Sequence, residues 1–120
     1  MKFTFWLYLE IELLELLPRL EKIFPNLKIQ RDYENVWEWL ESFENGFKLN
    51  VSRSHNWEKG DYFDPIKIEI YSENLSDEDF YGNLFFSEFD STIYFGELSH
   101  NDLGRNSISA RILKVYNTRL

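Results

Sequence analysis

The apolar positions of this chain change period several times, and each change marks an element. Over residues 2–10 they alternate, with Phe3, Phe5, Leu7 and Leu9 on one side and Thr4, Trp6, Tyr8 and Glu10 on the other. A period of two with aromatic enrichment predicts a strand. Both sides stay apolar through Tyr8, which places that strand in the middle of a sheet. Over residues 12–24 the spacing becomes helical: Leu13, Leu16, Leu17, Leu20 and Phe24 form one stripe, and Glu12, Glu15, Arg19 and Lys22 lie off it. Pro18 falls inside this pattern, where it lacks an amide hydrogen and crowds the preceding turn. The helix therefore either starts late, with Pro18 in its first turn, or kinks there. Pro25-Asn26 ends it.

Residues 27–33 predict a short strand, and residues 36–53 a hairpin. Asn45-Gly46 sits between two apolar-rich runs, and both residues tolerate the positive φ of a type I′ turn. That turn sets Glu44 opposite Phe47, Ser42 opposite Leu49, Leu40 opposite Val51 and Glu38 opposite Arg53. One face then carries Leu40, Phe47, Leu49 and Val51, with the Glu38–Arg53 pair closing its open end. The other face carries Trp37, Trp39, Phe43 and Lys48. Asn35 and Glu38 also mimic a helix capping box, but the turn and the β-formers after it agree with each other. Residues 66–71 alternate Ile66, Ile68, Ile70 with Lys67, Glu69, Tyr71, a half-buried strand. Ser76 then caps a second helix whose first turn holds Asp77, Glu78 and Asp79, with Phe80, Leu84 and Phe85 facing inward and Gly82 weakening it. Residues 92–98 form another strand. Residues 107–116 fit a strand or a helix, and β-branching favours the strand. The expected fold is α+β: one domain spanning 1–120, with five to seven mostly antiparallel strands and one or two helices on one sheet face.

Charge adds a feature that hydropathy does not show. The 120 residues carry a net charge of −8. No Lys or Arg occurs between Ile68 and Gly104, yet that segment holds Glu69, Glu73, Asp77, Glu78, Asp79, Glu88, Asp90, Glu97 and Asp102. The remainder of the chain is nearly balanced. An acidic chain is poorly suited to a phosphate backbone, so no nucleic-acid partner is expected. The run is either a solvated face that aids solubility or a surface that steers a basic partner.

Candidate chemistry is sparse. There is no cysteine, and the two histidines, His55 and His100, lack metal-ligand spacing. The five glycines are scattered, so no phosphate-cradling loop exists. Neither metal nor cofactor is expected. A small hydrolase would have to use a carboxylate pair, or His55 with Asp61 or Asp64, and nothing in the sequence selects either. The long turn-like segment 54–65 places Trp57, Tyr62 and Phe63 beside Asp61 among polar residues. Aromatic side chains in such a loop either anchor an interface or fold back on the core edge. Residues 1–15 lack a signal-peptide core, and no window is long and apolar enough to span a membrane, so a cytoplasmic protein is expected.

The acidic surplus, the absent cysteine and the many aromatic residues give the chain a general character. In that character it resembles the cognate immunity proteins of bacterial polymorphic toxins, including those of contact-dependent inhibition systems. The resemblance covers the whole chain loosely and rests on no diagnostic motif. It implies a cytoplasmic protein that binds one basic toxin domain, often a nuclease, and blocks its active site. Glu73, Asp77, Glu78, Asp79, Glu88, Asp90 and Asp102 would then steer the partner, and Trp57, Tyr62 and Phe63, with Asp61, would anchor it. An acidic DNA mimic and an assembly subunit are the other binding alternatives. An exposed Trp37, Trp39 and Phe43 face would favour the assembly subunit.

Overall fold

A computed structural model of the chain describes residues 1–35, 37–54, 65–97 and 111–118. Seven strands form one antiparallel sheet: β1 (Lys2–Leu7), β2 (Gln30–Glu34), β3 (Trp37–Glu44), β4 (Phe47–Ser54), β5 (Ile66–Tyr71), β6 (Ile93–Glu97) and β7 (Arg111–Tyr116). Their order is β2-β3-β4-β5-β1-β6-β7. Two helices, α1 (Leu17–Ile23) and α2 (Glu78–Phe89), pack on one face. The fold is α+β, and β1 lies inside the sheet between β5 and β6, as its two apolar faces predict.

The hairpin forms in the predicted register. Asn45 and Gly46 take φ of 51° and 78°, and Glu44, Ser42, Leu40 and Glu38 pair with Phe47, Leu49, Val51 and Arg53. Residues 107–110 lie outside the described region, but the strand reading holds for β7. In the first helical segment, a 3₁₀ turn over Leu13–Leu16 leads into α1, and Pro18 occupies the first turn of α1. That position needs no amide hydrogen from proline, so the helix starts late instead of kinking. Glu12 and Glu15 form a capping box at the start of the 3₁₀ turn. Leu13, Leu16 and Leu20 are fully buried over the sheet.

Three local expectations shift. The strand expected at 27–33 begins only at Gln30, because Leu27 and Ile29 turn toward the core instead. Asp77, not Ser76, caps α2: its Oδ1 accepts from the Phe80 amide at 2.9 Å. The buried stripe of α2 is Tyr81, Phe85 and Phe89, and Phe80 points outward at 55% exposure. Continuing a Phe80–Leu84 stripe by one turn would turn Glu88 inward, whereas the observed stripe buries three rings.

Gly82 does more than weaken the helix. The Tyr116 ring of β7 packs against it, and a Cβ there would come within 2.3–2.5 Å of three ring carbons. Gly96, at φ 144°, sits at a register shift between β6 and β7. Its carbonyl accepts the Trp6 indole N–H at 2.9 Å.

The Glu38–Arg53 pair is not a solvent-exposed clasp. Each residue is only 2% exposed. The Arg53 guanidinium donates to the carbonyls of Leu9 and Ile11, at 3.1 and 2.7 Å, and so fastens the segment leaving β1. Arg31 donates to Glu38 Oε2 through Nε at 2.9 Å and also through its terminal NH2 group. Among the described residues, no helix is long and apolar enough to cross a membrane.

Candidate functional site

Trp57, Asp61, Tyr62, Phe63 and Asp102 lie outside the described residues, as do His55 and His100. The other predicted steering acids are placed, and the fold treats them unequally. Glu73 sits exposed in the turn after β5. Asp77 is the α2 cap. Glu78 and Asp79 both reach Lys114 of β7, each at 2.9 Å, and the Tyr116 hydroxyl donates to Asp79 at 2.7 Å. Glu88 faces Lys22 of α1 at 3.5 Å. Asp90 ends α2 in the left-handed region at φ 51° and is exposed.

These contacts tune the groups that make them. The Lys114 ammonium holds the Glu78 carboxyl below the usual carboxylate range, with a backbone hydrogen bond assisting. Lys114, then the Tyr116 hydroxyl, does the same for Asp79. Reciprocally, Glu78 and Asp79 push Lys114 up to about 12. Burial, then Asp79, pushes the Tyr116 phenol up. On the sheet, partial burial would raise Glu69, but hydrogen bonds and charge from Lys67 and Lys2 outweigh it and leave it lowered. Bases from outside the acidic segment thus reach Glu69, Glu78, Asp79 and Glu88. At the start of α2, Asp77 caps the helix and Glu78 and Asp79 share Lys114, with Glu73 four residues before the cap. Phe80 lies exposed beside them. Its position directly after three acids was the available signal for an outward ring.

A second surface lies on the opposite side of the molecule. The sheet face away from the helices carries Trp37, Phe43 and Tyr71 at 51, 68 and 45% exposure, with Leu113 and Val115 on the β7 edge. No described element covers it. Two shallow depressions mark this face and meet at Asn50. One, of about 250 Å³, is lined by Glu34, Asn35, Trp37, Trp39, Asn50 and Ser52. The other, of about 510 Å³, is lined by Lys2, Phe43, Lys48, Asn50, Glu69 and Tyr71. The α2 acids and the aromatic sheet face therefore belong to different surfaces. Compared with protein-family models, curated proteins and solved structures, the chain matches none.

Proposed function

We propose that this chain is a small binding protein of the immunity type, which neutralises a basic protein partner by occupying it. The observation that carries the reading is Phe80, exposed beside the acidic start of α2. A large ring left exposed on a helix that buries Tyr81, Phe85 and Phe89 suits an interface anchor. The neighbouring carboxylates, in excess over Lys114, supply the field that draws a basic surface toward it. In this mechanism Glu73, Glu78 and Asp79 set the association rate, and Phe80 sets the dissociation rate.

The functional readout is growth of cells producing the cognate toxin domain, which this chain restores. Purified with that domain, Glu73→Lys/Glu78→Lys slows association about tenfold at low salt and flattens its salt dependence. Phe80→Ser leaves association unchanged and speeds dissociation. Association rates and salt dependence identical to wild type in the double variant would sink the steering claim. A second reading, an assembly subunit, is favoured by the aromatic sheet face, which no described element covers.

A further inference from the structure

We propose that Asn45 is a site of spontaneous modification, whose side-chain amide is lost through a cyclic imide closed on the Gly46 nitrogen and opened by water. The ground is the tip of the β3–β4 hairpin. Asn45 and Gly46 are both exposed there, and the Glu44–Phe47 pair closes the ladder beneath them. In such a two-residue loop the ladder hydrogen bonds belong to the closing pair, so the Gly46 N–H has none to make. Among the described residues, no hydrogen bond holds that N–H or the Asn45 side chain. No heavy atom lies within 4 Å of the place that a Gly46 Cβ would take.

The reaction needs only water. The Gly46 nitrogen, having lost its proton to solvent, attacks the side-chain carbonyl carbon of Asn45. A new C–N bond forms, the bond to the side-chain nitrogen breaks, and ammonia leaves. Water then opens the five-membered ring. Opening at the side-chain carbonyl gives aspartate, and opening at the main-chain carbonyl gives isoaspartate. Either way the chain, already at −8, gains one negative charge. A side chain on the following residue crowds the attacking nitrogen, and glycine has none. Of the ten asparagines in the chain, Asn45 alone precedes glycine, and six of the others precede Leu, Val or Trp.

The two products treat the hairpin differently. Asp-Gly suits a type I′ turn as Asn-Gly does, so aspartate at 45 keeps the turn and the Glu44–Phe47 pair beneath it. Isoaspartate puts one extra carbon into the backbone of a two-residue loop, and the closing pair no longer matches the twist of its strands. Phe47 carries the effect inward. Its ring packs on Phe24 at 5.4 Å, and Phe24 packs on Phe85 of α2 at 6.1 Å. Loss of the closing pair therefore loosens the packing of the sheet against α2.

The test ages the full chain in mildly alkaline buffer and maps it by peptide mass spectrometry, with electron-transfer fragmentation to tell aspartate from isoaspartate. A one-dalton gain is expected at residue 45 ahead of every other asparagine, with both products present. The native rate is expected to lie within about tenfold of the rate in guanidinium, because a hairpin tip opens at little cost. Asn45→Gly keeps a pair that suits the turn and is expected to gain no mass there. The separated isoaspartate form should melt below the unaged chain, while Asn45→Asp melts with it. An unchanged mass at residue 45 overturns the proposal. So does a native rate slower than that tenfold margin, which would mean that the turn holds the amide out of reach. A faster gain at another asparagine counts against it equally, and an isoaspartate form that melts with the unaged chain overturns the effect on the hairpin.

Discussion

Arg53 shows what a single residue can contribute when the fold closes around it. Its position opposite Glu38 follows from the Asn45-Gly46 turn, but its burial follows from the segment after β1, whose carbonyls it holds. Arg53→Met would leave the carbonyls of Leu9 and Ile11 without these donors, while Glu38 keeps its pairing with Arg31. Leaving a buried polar group unsatisfied costs about 1–3 kcal/mol. Urea unfolding should show a loss of that size, far larger than for an exposed charge. Gly82→Ala makes the opposite kind of error, by adding an atom. Alanine favours a helix by about 1 kcal/mol over glycine. Overpacking costs about 1–3 kcal/mol, and the Tyr116 ring cannot easily retreat while its hydroxyl is bonded to Asp79. A net loss of stability in thermal unfolding is expected.

At the scale of elements, β7 is fastened to α2 by Lys114, Tyr116, Glu78 and Asp79. The two carboxyls are lowered from their ordinary values of 4.5 and 3.8. Their contribution is therefore fully present above those values and is lost as pH falls through the lower folded-state values. A melting series from pH 6 to about pH 2 should show wild type losing more stability than Lys114→Met across the acid end. Equal slopes would mean that the cluster does not hold the strand. Lys114 titrates on the other side: its stabilisation persists at neutral pH and fades only as pH rises toward about 12. The β3–β4 hairpin depends on its turn in a different way. Gly46 has open space where a Cβ would lie but a φ of +78°. Gly46→Ala should therefore cost about 1–2 kcal/mol through backbone strain alone, with the register unchanged.

For the whole molecule, charge makes a prediction about salt. An acidic field that draws in a basic partner is screened, so that association slows as salt rises. Stopped-flow binding at about 20 and 200 mM salt reads that effect.

The linear pattern was enough to read the alternation of β1 and β5, the leucine stripe, the Asn45-Gly46 turn and the register it imposes. Each depends on residues a few positions apart, whose backbone preferences act before any long-range contact forms. The acidic run was legible only as a count along the chain. A field depends on distance in space, and Lys114 reaches Asp79 from 35 positions away once β7 is in place. For the same reason the chain order did not reveal that Glu38 and Arg53 would be buried. Nor did it reveal that Phe80 would turn outward, or that Trp37 and Phe43 would lie exposed on a face that no described element covers. Those outcomes were decided by where the helices settled on the sheet, because a side chain's exposure is set by the layer above it.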